Sequence, residues 1–266
     1  MSKSINVVRC RGLSILKQLQ AEEVLLRRTK DNWFLMNSHM TDLAIVLGFG
    51  GKIHELVDLE LVKQSHINGK RVDLIRRYTG GGTVIVDDNT LFASFIMNAD
   101  DVSTLPYPRD IMDWSEGVYK PVFNGTGNGN HDDGNMVTKA QFSLRENDYI
   151  LNNLKIGGNA QSITKDRWVH HTSFLWDYST DNMKYLLMPK KRPDYRRDRP
   201  HSEFLDKICN HLPNHTVFED RTIQELSRHY QVREVSQADA LNLVEGLKES
   251  HAFAKPPDVR TRIEDV

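Results

Sequence analysis

The sequence predicts an α+β fold in which mixed β-sheets are packed against helices. Runs rich in β-branched and aromatic residues, typical of strands, recur over the first two-thirds of the 266 residues, whereas amphipathic helical patterns dominate the last third. A glycine-rich segment and an asparagine turn each connect two strand-like runs. The hydrophobic content of 39% and the charged content of 27% fit a soluble globular protein that can bury a core.

The first predicted helix is amphipathic, because apolar residues recur at helical spacings from Ile15 to Leu26. Residues 1–21 contain basic residues and no acid, which is also typical of a weak mitochondrial presequence. The sequence favours a helix packed on the domain. It leaves a mitochondrial and a cytoplasmic location open.

Further apolar runs predict strands at Trp33–Met36, Leu43–Leu47, Leu91–Met97 and Trp168–Trp176. Asn37–His39 is predicted to be the turn between the first two of these strands. Residues Asn124–Asn135 are rich in glycine and asparagine and predict a surface loop.

The chain is organised around a glycine-rich segment between two strand-like runs, Val72–Ile75 and Thr83–Val86. Arg76 and Arg77 precede three consecutive glycines, Gly80–Gly82. Glycines permit positive φ and close approach of a ligand, and guanidinium groups suit phosphate or carboxylate. The segment predicts either an anion-binding loop or a simple glycine turn with two solvated arginines.

A hairpin is predicted from Arg145–Leu151 and Leu154–Ala160, which are joined by the dipeptide Asn152-Asn153. Residues 1–188 are predicted to form the core of the domain. Residues 189–266 are predicted to be a helical extension that packs on or continues it. Within that extension, Thr222 and Glu225 have the spacing of a capping box that opens a helix.

The composition also excludes several classes of function. The net charge of −1 gives no overall basic field for nucleic acid, and no apolar run is long enough to span a membrane. The six basic residues between Lys190 and Arg199 are interpreted as a solvated connector, with a docking strip for an acidic partner as the minority interpretation. The two cysteines, Cys10 and Cys209, provide neither a disulfide framework nor a metal–thiolate cluster.

Four motifs in order resemble the catalytic domain of lipoate–protein ligases, in the variant of plant and protist members. They are RRYTGGGTVIVD from Arg76, REND from Arg145, KIGGNA from Lys155, and HHTSFLWDY from His170. The resemblance implies a biotin/lipoate ligase-like catalytic domain. It also implies that lipoate and ATP form lipoyl-AMP, whose acyl group passes to a lysine of a lipoyl carrier domain, either glycine-cleavage H protein or a dehydrogenase E2 subunit.

The chemistry indicates one catalytic residue. A carboxylate and an α-phosphate repel each other, so a cation must bridge them, and Lys155 on the hairpin is the candidate. The resemblance implies that Asp148 holds the phosphate region through Mg²⁺. It further implies that lipoate or adenylate is bound by Arg77, Tyr78, Gly80, Gly81, Gly82, Asn147, Asp148, Gly158, Asn159, Ala160 and His171.

The sequence departs from the family pattern at one important position. Val86 stands where the family has a histidine, and Asn89-Thr90 replaces a Gly-Asn pair. Three alternatives therefore accompany the ligase prediction: transfer from a preformed lipoyl or octanoyl donor, activation that requires an accessory protein, and non-catalytic binding of lipoate or a lipoyl domain. A cysteine-based octanoyltransfer is disfavoured because Cys10 and Cys209 lie outside the motifs.

Overall fold

The computed structural model describes residues 3–124, 141–188, 193–197, 199–250 and 259–265. Within these residues the chain forms a large and a small mixed sheet with helices on both faces of the large one, which confirms the α+β prediction. Residues 125–135 of the predicted surface loop lie outside the described residues. No helix in the described ranges is long and apolar enough to cross a membrane.

The strands fall into two sheets. In chain order they are β1 (Ser4–Cys10), β2 (Asn32–Asn37), β3 (Ala44–Leu47), β4 (Asp73–Arg76), β5 (Val84–Val86), β6 (Thr90–Asn98), β7 (Phe142–Arg145), β8 (Asp148–Leu151), β9 (Leu154–Ile163), β10 (Arg167–Leu175), β11 (Gln231–Glu234) and β12 (Arg262–Ile263). The large sheet has the order β11-β1-β2-β6-β10-β9-β8-β7, and the small sheet has the order β12-β4-β3-β5.

The helices are α1 (Ile15–Arg28), α2 (Ile53–Leu56), α3 (Leu59–Ile67), α4 (Pro108–Asn124), α5 (Thr180–Met183), α6 (His201–Phe204), α7 (His215–Ser227) and α8 (Gln237–Glu249). The apolar spacing of the first helix predicts α1 correctly, and Ser14 caps it by accepting a hydrogen bond from the Lys17 amide.

The large sheet separates two apolar cores because successive side chains on a strand point to opposite faces. Val7 and Phe34 face one core, which α4 and α7 complete with residues such as Tyr119 and Phe218. The opposite face carries Val8 and is covered by α1 and α8. The start of α1 also packs against the small sheet.

The strand register places the motif residues on a common face of the large sheet. Gly158 of β9 lies opposite both Asp148 of β8 and Ser173 of β10, while Ala160 lies opposite His171. Since directly opposed residues share a face, these five positions project toward the side covered by α1. The next residues along each strand project to the α4 side.

One local prediction is wrong and one strand is missed, because both depend on tertiary pairing. The strands β2 and β3 belong to different sheets, so Asn37–His39 does not close a hairpin. The segment Ser4–Cys10, for which the sequence predicts no element, is a strand of the large sheet and pairs in parallel with β2 and β11.

The predicted capping box is also wrong. The helix α7 begins earlier, where Asn214 accepts a hydrogen bond from the Val217 amide. Thr222 lies inside α7, and its hydroxyl donates to the carbonyl of Phe218. The chain after residue 188, which the sequence predicts as helical, also supplies β11 to the large sheet and β12 to the small one.

Candidate active site

The glycine loop, defined as residues 78–82, connects β4 to β5 and lies against β9. The Gly80 amide donates to the carbonyl of Gln161 at 3.2 Å. Gly81 has a φ of +100°, and a Cβ built there would lie 3.3 Å from the Cβ of Ala160. A glycine is needed at this position because the conformation is one that other residues rarely adopt.

Arg77 holds the glycine loop from the inside. Its guanidinium donates to the carbonyls of Gly80, Gly82 and Val46, and the side chain is buried. Burial lowers the pKa of Arg77 to about 10, and Glu22 opposes this shift. Because these hydrogen bonds go to neutral carbonyls, the buried positive charge remains available to attract an anion.

A second glycine segment supports the loop from the other side. Gly48 lies so close to the loop that a Cβ built on it would be 2.2 Å from the carbonyl oxygen of Gly81. Arg76 faces away from Arg77 and donates to the carbonyls of Gly48, Phe49 and Gly51. The glycines at positions 48, 50 and 51 are typical of a segment where two backbones approach closely.

The predicted catalytic lysine forms an ion pair with a predicted binding residue. Lys155 Nζ lies 2.8 Å from Asp148 Oδ1, and 24% of the lysine side chain is exposed. The other carboxylate oxygen, Oδ2, accepts a hydrogen bond from the Tyr195 hydroxyl at 2.8 Å. Gly158 leaves room for the ammonium group, since a Cβ built on it would lie 3.6 Å from Nζ.

The two predicted asparagines lie beside this pair without pointing at it. Asn159 donates from Nδ2 to the carbonyl of Asn147 and accepts from Thr172 through Oδ1. Its side chain therefore lies on the α4 side of β9, opposite to the face of Gly158 and Ala160. The side chain of Asn147 is exposed at the end of the hairpin.

His171 is buried on the α1 side, in a network that reaches the glycine loop. Its Nδ1 lies 2.9 Å from Glu22 Oε2, and its Nε2 lies 3.4 Å from the hydroxyl of Thr79. Phe92 packs on the imidazole with a centroid distance of 4.8 Å. Burial lowers the pKa of His171, and Glu22 opposes that effect.

The remaining predicted residues are divided between the two cores. Tyr78 is buried in the core beneath α1 and α8, and its ring contributes packing rather than a surface contact. His170 projects to the other face, where its Nε2 lies 3.1 Å from the Tyr149 hydroxyl. Burial and the neighbouring His171 lower the pKa of His170 to about 3.

Lys155 and the glycine loop lie on the same face of β9. The ammonium group reaches the face of Gly158, and Gly81 contacts Ala160. Residues two apart on a strand are separated by about 7 Å, so the cation and the loop border one surface. His171 and Ser173 continue this surface on β10. The arrangement suits a ligand with an apolar body and an anionic end.

A comparison with known protein families identifies the family to which a chain with this surface belongs. A family model described as the lipoyl protein ligase A/B catalytic domain matches residues 14–230. The chain belongs to this family. The match includes the glycine loop, the β8–β9 hairpin and the two histidines, and it confirms the family predicted from the four motifs.

Curated relatives carry the names of lipoate ligases. A Plasmodium falciparum protein named inactive lipoate–protein ligase 2 is 30% identical over 226 residues, which are 76% of this chain and 57% of the relative. A lipoate-protein ligase of Bacillus subtilis is 26% identical over 173 residues, which are 64% of this chain and 46% of the relative. The chain thus spans about half the length of these two relatives.

Solved structures of lipoate ligases share the fold. One is a bipartite lipoate protein ligase from Thermoplasma acidophilum, with a TM-score of 0.67, 19% identity, and coverage of 95% of this chain and 94% of that one. Another is lipoate-protein ligase A bound with ATP, with a TM-score of 0.64, 18% identity, and coverage of 95% and 97%. At this identity the likeness concerns the fold of the family.

The residues at Asp148 do not fit a magnesium site of their own. Both carboxylate oxygens have partners, Lys155 and Tyr195, and no group of three His, Cys, Asp or Glu side chains in the described ranges can hold a metal. Mg²⁺ is ordinarily held by few carboxylates together with substrate phosphates. We therefore derive no step through this ion.

Sequence reasoning missed four residues that shape the site: Glu22, Gly48, Ser173 and Tyr195. One signal was available for Glu22, because it continues the spacing of Ile15, Leu19 and Leu26 on the apolar side of α1. An acid in that position indicates a buried polar partner.

Proposed function

We propose that this protein is a lipoate–protein ligase that converts lipoate and ATP to lipoyl-AMP and transfers the lipoyl group to a lysine of a lipoyl carrier domain. One observation carries the proposal: the ammonium group of Lys155 and the glycine loop border the same face of β9. In the proposed reaction this cation lies at the end of the surface that binds the acyl chain.

In the first step, a carboxylate oxygen of lipoate attacks the α-phosphorus of ATP. An O–P bond forms, the bond to the β-phosphate bridging oxygen breaks, and pyrophosphate leaves. Lys155 counters the repulsion between the two anions. An ammonium group has three N–H donors, so one can stay on Asp148 while the others contact the acyl oxygen and the phosphate.

In the second step, the amine of a carrier lysine attacks the acyl carbon. A C–N bond forms, the C–O bond to phosphate breaks, AMP leaves, and the amine releases a proton to water. Lys155 stabilises the negative charge on the acyl oxygen and on the departing phosphate. The same residue therefore serves both steps.

The acyl chain is proposed to lie between the glycine loop and α1. His171 contacts both Phe92 and Thr79 on this side of the loop, and Glu22 holds its imidazole. The buried charge of Arg77 stabilises the loop and attracts the carboxylate or phosphate at its end. Octanoate is also expected to be accepted, since an apolar pocket discriminates weakly between similar chains.

Transfer without activation is the second candidate function. Val86, at the position where the family pattern has a histidine, is fully buried in the core between α1 and the small sheet. No polar group is available from that position. A thioester route has no support here. Cys10 is buried, and burial raises the pKa of its thiol to about 12. Cys209 is exposed but lies after the last motif in the sequence, and desolvation raises the pKa of its thiol as well.

One assay separates these functions. The full chain is incubated with lipoate, ATP and magnesium, and pyrophosphate and lipoyl-AMP are measured. An E2 lipoyl domain or an H protein is then added, and its gain of a lipoyl group is followed by mass spectrometry. Pyrophosphate together with a modified carrier is the expected result.

The other outcomes contradict the ligase proposal in distinct ways. Transfer only from supplied lipoyl-AMP establishes the second candidate. Lipoate binding with neither adenylate nor transfer identifies a binding protein. Activation that appears only after a second protein is supplied shows that an accessory partner is required.

A further inference from the structure

A tyrosine from outside the recognised motifs completes the site around the catalytic lysine. The Tyr195 hydroxyl donates to Asp148 Oδ2 at 2.8 Å, and Asp148 Oδ1 contacts Lys155 Nζ at 2.8 Å. The hydroxyl, the carboxylate and the ammonium group are therefore linked by two consecutive polar contacts. We propose that Tyr195 is a positioning residue for Lys155 and acts through Asp148. The inference rests on the proposed function, in which Lys155 contacts the reacting groups.

Tyr195 is fixed by contacts on every side. Its ring is buried with Ile150, Phe204 and Leu205. Its amide donates to the Glu146 carboxylate at 3.2 Å, and the Arg145 guanidinium lies 4.7 Å from the ring centroid. A side chain held in this way presents its hydroxyl in one place and loses little conformational freedom in doing so.

The carboxylate needs such a partner because it is nearly inaccessible to water. Asp148 is 5% exposed, and a buried carboxylate is costly unless its oxygens are hydrogen-bonded. The χ2 torsion of aspartate is soft, so one contact alone does not fix the carboxylate plane. The Tyr195 hydroxyl holds Oδ2 and thereby directs Oδ1 at the lysine.

The hydroxyl acts as a donor under all ordinary conditions. Burial and the negative charge of Asp148 raise the pKa of Tyr195 well above its usual range. The tyrosine therefore remains protonated, and the carboxylate remains the acceptor.

The same segment of chain also holds the backbone of the lysine. The Asp206 amide donates to the carbonyl of Lys155 at 2.9 Å, and the backbones of Leu205 and Lys155 form an isolated parallel β-bridge. Tyr195 orients the ammonium group of Lys155 through Asp148, while residues 205–206 hold the Lys155 backbone. Tyr195 belongs to the segment Lys190–Arg199, which is interpreted from the sequence as a solvated connector, but its side chain is buried against Ile150 of the β8–β9 hairpin.

The central test is Tyr195→Phe, which keeps the ring and removes the hydroxyl. Small displacements of a catalytic group lower rates steeply, so kcat for lipoyl-AMP formation is expected to fall about 10- to 100-fold. The KM for lipoate is expected to stay within about twofold, because the acyl chain is held elsewhere. Tyr178→Phe is the matched control: Tyr178 packs against the same cluster but contacts Lys207 instead, so kcat should be unchanged.

A second measurement does not depend on catalysis. The reactivity of the Lys155 amine is measured by pulse labelling with acetic anhydride and peptide mass spectrometry. Tyr195→Phe is expected to change the labelling rate several-fold, and Tyr178→Phe is not. If the wild-type protein forms no adenylate and transfers nothing, the proposed function fails, but this labelling difference still supports the positioning of Lys155. Equal labelling rates in wild type and Tyr195→Phe overturn it.

A double-mutant cycle tests whether Tyr195 acts through Asp148. In an Asp148→Asn background, Tyr195→Phe should lower kcat by less than about twofold further. A full, independent loss in both backgrounds overturns the proposal. If Tyr195→Phe does not fold, Arg145→Met supplies the second variant, because it removes the guanidinium over the ring and leaves the hydroxyl. It should lower kcat in the same direction, and an unchanged kcat contradicts the proposal.

Discussion

Arg76 Nε donates to Glu264 Oε1 at 2.6 Å, and this pair joins β12 to the segment that supports the glycine loop. The two side chains are 13% and 17% exposed, so the ion pair is largely protected from solvent. The same guanidinium donates to three carbonyls of residues 48–51. The Arg76 side chain therefore connects the end of β12 to residues 48–51, and Arg260 adds a second contact by lying 5.9 Å from the ring centroid of Phe49.

Arg76→Met is expected to lower the free energy of unfolding by about 1–3 kcal/mol, because the carbonyls of Gly48, Phe49 and Gly51 lose this donor and Glu264 keeps only its ion pair with Arg262 among those the described residues show. Urea unfolding measures this change. Arg71→Met is the control, since Arg71 is 76% exposed and pairs with nearby Asp73, and an exposed ion pair contributes little. Equal losses in the two variants would contradict this role for Arg76.

Gly81→Ala is expected to destabilise the free protein by about 1–3 kcal/mol, because alanine is strained at positive φ. The added methyl group would also lie 2.8 Å from Nη2 of Arg77. Gly82→Ala is the matched control: Gly82 has no positive φ, and a Cβ there meets nothing within 4 Å. Thermal unfolding without ligand distinguishes the two. A Gly82→Ala variant as unstable as Gly81→Ala would disprove the conformational argument.

Lys155→Ala is expected to reduce lipoyl-AMP formation at least about 100-fold, because it removes the cation between two anions. The protein should remain folded, since Asp148 keeps its hydrogen bond from Tyr195. Pyrophosphate release and circular dichroism check the two expectations. Lys184→Ala is the control, because Lys184 is 67% exposed and pairs with Asp181. A Lys155→Ala variant with the wild-type rate refutes the catalytic assignment.

Stability is expected to fall as the pH decreases from about 6.5 toward 3, the range set by His170. Its pKa is lowered to about 3 in the folded state by burial and by His171, so the unfolded chain binds the proton first. The contribution of neutral His170 to the free energy of unfolding is complete above pH 6.5. Below that pH it is lost at up to about 1.4 kcal/mol per pH unit.

Urea unfolding of the wild type and of His170→Gln from pH 7 to pH 4 measures how much of the pH dependence of stability comes from His170. The variant should be less stable at pH 7, because the contact with Tyr149 changes, but its stability should depend less steeply on pH. His54→Gln is the control, since His54 is 74% exposed. Identical slopes for wild type and His170→Gln would rule out this origin of the acid sensitivity.

Local signals predicted the elements whose geometry is fixed by a few adjacent residues. The β8–β9 hairpin follows from Asn152 and Asn153, which have positive φ values of 59° and 146°. Asparagine tolerates such backbone conformations better than most residues. The glycine loop was predictable for the same reason. Gly81 has a positive φ of 100°, and a run of three glycines indicates a segment that can adopt such a conformation.

Local sequence signals gave a wrong or missing prediction in two situations: where more than one possible helix cap is present, and where a strand pairs with segments distant in sequence. Thr222 and Glu225 have the spacing of a capping box, but Asn214 begins the helix a full two turns earlier. The strand β1 was missed because its pairing partners, β2 and β11, are brought to it only by the fold. Strand formation depends on such neighbours more than helix formation does.

The sequence by itself determined the family and the α+β class, because four ordered motifs and the apolar periodicity along the chain are visible without a structure. It also determined the glycine loop and the position of Lys155 on a hairpin, because both depend on local turn chemistry. Only the tertiary structure decided which groups accompany them. Glu22 reaches His171 from α1, and Tyr195 reaches Asp148 from beyond the last motif. These contacts join residues 149 and 47 positions apart, and no local pattern encodes a hydrogen bond across such a separation.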